Sequence, residues 1–318
     1  MKFKSNFKVV APATIANLGC GLDALGLAIE SPSDEVFVKP SNKSGIHISS
    51  ILNNKTKIPL ETNKNAAGIS AQLVLDHLKS NFGLDQNAGL NLQLNKKIAV
   101  GHGLGSSSAS AVGGAFAVNE AFGCHLSKRD LIPFIIKGEV MAEGQFRINS
   151  LIPALLGGII LTRDHQTLDF HRLPLIKGLQ MVVIYANNQV LTQKQVRKNL
   201  ANKTEIANAI QQSANLGAFV QALYTSNLDL LSSTLTDHIA EKHWSALVPF
   251  FKELKATALS NGALGCSLAG TGPGVFALCK NSLEAEKVAK AMEDIYTSNK
   301  VPNTVIISKI DHEGVRLA

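Results

Sequence analysis

Residues 101–110 read Gly101-His-Gly-Leu-Gly-Ser-Ser-Ser-Ala-Ser110 and run straight into an alanine-rich stretch, residues 111–121. No other feature of the chain restricts its fold as much. Three alternate glycines permit backbone dihedrals that other residues avoid. The serines then open a helix of Ala, Val and Gly, and the first N–H groups of any helix lack an internal partner. With about half a positive charge from the helix dipole, those N–H groups form a cradle for phosphate. The hydroxyls of Ser106 and Ser107 can add donors to phosphate or oxygen ligands to Mg²⁺. No Gly-Lys-Ser/Thr follows, which excludes a Walker A loop. Ser106 stands where a dinucleotide fingerprint needs its last glycine. The plain alternative is a glycine-rich turn ahead of a tightly packed helix.

Two further segments bear on chemistry. Glu139 and Glu143 are spaced i, i+4, which puts both carboxylates on one helix face. A solvated face is the simpler expectation for such a pair, and a Mg²⁺ site beside the cradle is the sharper one. Residues 262–278 hold a run of glycines around a tight turn, a backbone that lets a ligand or another loop come close. Within it, Gly265-Cys-Ser267-Leu-Ala269 misses the nucleophile elbow at its last position, and no acid–histidine pair stands out, so a hydrolase is disfavoured. Asp237, His238, Glu241 and His243 read as surface or capping residues, because the histidines are five apart. Trp244 reads as core or pocket wall. The pair Lys96-Lys97 precedes the cradle and reads as solvated, with a positive field as the alternative.

The rest of the chain supplies the frame. Strands are predicted at residues 7–10, 35–38, 45–50, 90–94, 157–162, 180–186 and 304–309. Residues 31–34, Ser-Pro-Ser-Asp, read as a turn. Helices are predicted at 65–82, 106–122 and 282–297, and at 128–138 with Ser127 as cap. Helices also fill Gln193 to Asn261, with Ile206, Ile210 and Leu216 as their apolar side. A polar, turn-rich stretch at 163–178 marks a boundary, giving domains 1–172 and 173–318. Helices alternating with strands fit an α+β architecture. The hydrophobic fraction is 45% and the net charge +7, which suits anionic small molecules. Aromatics make up only 5% and no basic block interleaves with them, which argues against a nucleic-acid platform. Cys20, Cys124, Cys266 and Cys279 form no C-x-x-C pair, so neither disulfides nor zinc are expected. No signal-peptide core or bilayer-length apolar run is seen, and a cytoplasmic protein without a membrane partner is expected.

In order and spacing, three motifs resemble those of the GHMP small-molecule kinases, and most closely the branch that acts on L-homoserine. They are Ala11-Pro-Ala-Thr-Ile-Ala-Asn-Leu-Gly-Cys-Gly-Leu-Asp23, the cradle at 101–110, and residues 262–278. Pro153-Ala-Leu-Leu-Gly-Gly158 is a further match. The resemblance implies an α+β, two-domain GHMP kinase fold, with a ribosomal S5-like N-terminal domain and a ferredoxin-like α/β sandwich after it. It implies ATP on Ala99, Val100, Gly101, His102, Gly103, Leu104, Gly105, Ser106, Ser107, Ser108 and Ala109, with Asn65 near the adenine. It makes Ser107 and Glu139 the catalytic Mg²⁺ ligands. It sets Asn17, Asp23, Asn149 and Arg197 on the amino-acid substrate, and Arg147, where these kinases carry His, is placed there as a replacement positive charge. The implied reaction is ATP-dependent phosphorylation of the side-chain hydroxyl of L-homoserine, on the way to threonine, by a homodimer.

Departures cluster on the acceptor side. Asn149 and Ser150 stand where these kinases carry Asp and Asn, and Trp244 aligns with an expected arginine. In the cradle His102 replaces a serine and Ala99 a proline, and Ala269 and Gly274 replace serines in the third motif. Two other readings therefore stay open: a relative acting on a different small alcohol, and a non-catalytic nucleotide-binding relative.

Overall fold

The computed structural model describes residues 6–123, 125–190, 196, 198–200 and 203–318. Strand β1 (Phe7–Ala16) pairs antiparallel with β2 (Leu25–Pro40). Next come β3 (Gly45–Leu52), helix α1 (Ala66–Asn81), β4 (Gly89–Asn95), and α2 (Ser106–Ala121). Helices α3 (Ile132–Glu143) and α4 (Ile148–Leu156) then lead into β5 (Ile159–Asp164) and β6 (Asp169–Leu173). In the first sheet the order is β11-β1-β2-β4-β3, with β5 on β2 and β6 on β5. In the second the order is β10-β7-β9-β8, built from β7 (Gln180–Ala186), β8 (Gly265–Leu268), β9 (Val275–Cys279) and β10 (Asn303–Lys309). Helices α5 (Ile206–Thr225), α6 (Leu228–Thr234), α7 (Glu241–Trp244), α8 (Phe251–Ser260) and α9 (Ser282–Ser298) complete this half. A two-residue strand, β11 (Arg316–Leu317), crosses back to β1. The final residues therefore lie in the first sheet and not beside the second. This is the α+β, two-sheet fold that the motifs imply.

Several local expectations are corrected. Residues 31–34 are not a turn but the middle of β2. The β1–β2 register jumps between Pro12 and Ala13, and the extra β2 residues form a bulge that accommodates Pro32. The helix after Ser127 starts at Ile132, because Pro133 fits only a first turn. Ser127 and Asp130 instead hydrogen-bond each other in a preceding turn. Helix α4 was not foreseen, since it carries Pro153 inside. Pro153 has no N–H for the Asn149 carbonyl, and a Cβ at Gly26 would sit 1.7 Å from that oxygen. Glycine at 26 thus lets α4 lie directly on β2. The stretch 163–178 contains β6, and residues 235–240 interrupt the expected helical run. Gln193, where that run was to begin, lies outside the described residues, as do Arg197 and Cys124. Ile206 and Ile210 point outward, 79% and 65% exposed. The buried side of α5 is Gln212, Asn215, Phe219, Ala222 and Leu223. That helix has no charged residue to mark its wet side, so its pattern has little contrast.

Burial explains how the cradle is held. Lys96 is 6% exposed and ion-pairs with Asp34 on β2. It also donates to the Ser106 carbonyl at 3.0 Å and to Ser110 Oγ at 2.6 Å. Asp34 Oδ1 accepts from the N–H groups of Lys97 and Ile98, both at 2.9 Å. Lys96 is therefore an internal strut between sheet and α2, not a solvated lysine. Removing one partner of a buried pair strands the other charge. Lys96→Ala should lower stability to urea by about 3–5 kcal/mol, measured at equilibrium.

Candidate functional site

A cleft of about 310 Å³ lies between the halves. One wall is the cradle, residues 99–101 and 103–108; the others are Glu139, Glu143, residues 145–147, Ser150, Val190 and residues 270–272. The cradle is bent by Gly101, Gly103 and Gly105 at φ of 80°, 80° and 68°, the left-handed region that favours glycine. Gly105 is the N-cap of α2. A Cβ at Gly103 would lie 2.0 Å from the Ala269 carbonyl oxygen. Here the glycine runs of the cradle and of the third motif meet backbone to backbone, one of the two outcomes that the third motif allowed.

His102 turns away from the cleft. Its Nδ1 lies 2.9 Å from the Val100 carbonyl and its Nε2 3.3 Å from that of Ala186 at the end of β7. The ring packs on Tyr185 with centroids 4.4 Å apart. Burial pushes its pKa below the ordinary value, and the two carbonyl contacts only partly offset that. The His102 side chain is an anchor to the second sheet.

Glu139 is 3% exposed, which corrects the solvated-face expectation. Ser108 Oγ donates to its Oε1 at 2.6 Å, and the Arg147 N–H to its Oε2 at 3.4 Å. Burial pushes its carboxyl up to about 7; the two hydrogen bonds and the Arg147 charge only partly offset that, and the Glu143 charge adds to it. The serine that meets Glu139 is thus Ser108. Ser107 hydrogen-bonds the more exposed Glu143, at 3.4 Å.

The remaining expected residues divide. Arg147 lines the cleft. Ala109 is buried within α2 and does not line it. Asn65 does not line it either. It caps α1, accepting from the N–H groups of Ala67 and Gly68 and donating to the Pro59 carbonyl. Asn17, Asp23 and Asn149 form a cluster beside the cleft. Asn17 Nδ2 donates to the Gly270 carbonyl at 2.8 Å, and Asn17 Oδ1 accepts from the Asp23 N–H at 3.0 Å and from Asn149 Nδ2 at 3.2 Å. Trp244 is core, its Nε1 donating to the Val196 carbonyl at 3.0 Å. Sequence reasoning missed Gln145, Phe146, Ser150 and Val190 as cleft wall. They lie at the start of α4 and beyond the end of β7, and their approach to the cradle is a tertiary contact that the local sequence pattern does not carry.

An anion cradle, a buried carboxylate with oxygen neighbours and a joined pair of glycine loops suit a phosphate-bearing ligand. Comparison with known proteins gives the family. The model of the GHMP kinases N-terminal domain matches residues 69–157, and that of the GHMP kinases C-terminal domain matches residues 219–297. The chain belongs to the GHMP kinases, phosphotransferases that act on an alcohol group. Its full-length relatives narrow the likeness. The homoserine kinase of Chlorobium phaeovibrioides is 34% identical over 313 residues, 96% of this chain and 98% of that protein. That of Pyrococcus furiosus is 32% identical over 303 residues, 95% and 97% of the two chains. The crystal structure of homoserine kinase from Cytophaga hutchinsonii superposes with a TM-score of 0.94 at 34% identity, covering 100% of this chain and 99% of that one. L. major mevalonate kinase shares the fold, with a TM-score of 0.73 at 18% identity over 96% and 98% of the chains. No helix among the described residues is long and apolar enough to cross a membrane.

The raised carboxyl of Glu139 has a consequence for stability. Folding favours its neutral form, so the contribution is intact below the ordinary value of 4.5 and is lost as pH rises through about 7. In metal-free buffer, Glu139→Gln should gain on the natural protein by on the order of 3 kcal/mol between pH 5 and pH 8. Melting curves across that range check it, and parallel curves for the two proteins would count against it.

Proposed function

We propose that this chain transfers the γ-phosphoryl group of ATP to the side-chain hydroxyl of L-homoserine, giving O-phospho-L-homoserine for threonine synthesis. The observation that carries the reading is full-length likeness to homoserine kinases together with a cleft that joins the cradle to Glu139. The acceptor side falls to Asn17, Asp23 and Asn149, with Arg197. The protein is cytoplasmic and homodimeric in this reading, with no nucleic-acid or membrane partner.

The donor set fits Mg²⁺, which prefers oxygen and keeps several waters. Glu139, Ser107 and Ser108 would hold it, with Glu143 at the rim. When bound, the ion neutralises charge on the phosphates. The N–H groups at the start of α2 bind phosphate oxygens, and the left-handed glycines keep those groups aimed into the cleft. Backbone packing of Gly103 against Ala269 fixes the far side of the cradle. The acceptor oxygen forms its bond to the γ-phosphorus as the bond to the β-phosphate oxygen breaks. ADP leaves with that electron pair, and the hydroxyl proton passes to water. The loose transition state needs little help from a base, so alignment is the chief contribution.

A second reading has its own support. Trp244 is locked in the core and cannot stand in for an arginine on the acceptor carboxylate. A lost charge-assisted contact costs on the order of 1.5–3 kcal/mol. A small alcohol lacking that carboxylate is the alternative acceptor.

Purified protein with Mg·ATP should release ADP on addition of L-homoserine; turnover confined to another alcohol in a panel would select the second reading. Glu139→Gln should lower kcat by at least about a hundredfold with less effect on nucleotide affinity. Ser107→Ala should raise the concentration of Mg²⁺ needed for half-maximal rate.

A further inference from the structure

We propose that Arg147 binds the γ-phosphoryl group of ATP and stabilises the charge on its oxygens during transfer, instead of holding the carboxylate of the acceptor. The inference rests on the kinase reading of the cleft and deepens it. Among the described residues that line the cleft, Arg147 is the one cation; the wall also carries two carboxylates, Glu139 and Glu143. The nearest lysine of the cradle, Lys96, is committed to Asp34 and to the carbonyl of Ser106. Among the described residues, a triphosphate entering this cleft therefore meets a single side-chain positive charge.

The position of Arg147 favours the phosphate over the acceptor. Its main-chain N–H is tied to Glu139 Oε2 at 3.4 Å, so the residue begins at the carboxylate beside the cradle. Arg147 is the N-cap of α4, with extended φ and ψ of −133° and 98°. Asn149 lies two residues further on, and side chains two apart on a helix do not share a face. The two part accordingly: Asn149 donates into the Asn17 cluster and to the Leu25 carbonyl, and Arg147 lines the cleft. Asn17, Asp23 and Asn149 do not line that cleft. The planar guanidinium has paired donors that match two phosphate oxygens. It exchanges no proton in the step, because it stays charged at any working pH. Its contribution is to the transition state, where charge spreads over the oxygens of the moving group.

The test separates a γ-phosphoryl contact from an acceptor contact. Calorimetry measures the affinity of the full chain, its Arg147→Gln variant and its Arg147→Lys variant for Mg·ADP and for the imido analogue of Mg·ATP. Arg147→Gln should lose roughly tenfold or more for the triphosphate analogue with ADP affinity held within about twofold. Its kcat should fall by about 10²–10³ with KM for L-homoserine little changed. Arg147→Lys should recover part of both losses, since it keeps the charge but not the fork, and it serves the same comparison if the glutamine variant does not fold. Three results would overturn the assignment: equal loss for both nucleotides, an unchanged preference for the triphosphate, or a loss confined to KM for L-homoserine. A natural protein that binds neither nucleotide would overturn the kinase reading itself. A protein that discriminates between them through Arg147 but phosphorylates another alcohol would keep this assignment and change only the acceptor.

Discussion

The contact between Gly103 and the Ala269 carbonyl is the constraint on which the site depends. Two sheets with separate helical layers become one catalytic frame because two glycine-rich loops touch without side chains between them. The spacing leaves no room for a Cβ at 103, so the fit is set by the absence of atoms. His102 reinforces it from the next position by reaching the end of β7. The cleft is what remains open on the other side of this seam.

Beneath the seam, charge is handled by burial in two contrasting ways. Lys96 and Asp34 neutralise each other inside the protein and hold α2 against β2. Glu139 is buried with hydrogen bonds that only partly offset the loss of water, and its carboxyl rises accordingly. The first arrangement is a brace. The second keeps a carboxyl buried at a cost to its charged form, a trade common where activity needs a poised group.

The cradle was legible because glycine and serine before an alanine-rich helix have few other physical uses. Strands with alternating or continuous apolar residues, such as β4 and β7, were legible for a similar reason. What could not be read was contact at a distance. Nothing in the local pattern tells that Ser108 and not Ser107 turns to Glu139, since adjacent residues on a helix differ only by rotation. Nor does it tell that Lys96 goes inside, because its partner is remote in sequence. Helix α4 was hidden by Pro153, whose penalty is met by the close approach of Gly26. On α5 the uncharged composition removed the contrast that would have placed Ile206 and Ile210 on the wet side.

Val9, near the start of the first strand, is paired with Leu317, so the outer border of the sheet beneath the cradle is finished by a strand from far along the chain. On the ribosome, β1 and β2 can zip together early, and the helices can settle on them. The free border of β1 nevertheless stays open to stray pairing until synthesis has passed Arg316. The order in which this polypeptide emerges thus leaves the first sheet with an unpaired border long after its central strands have met.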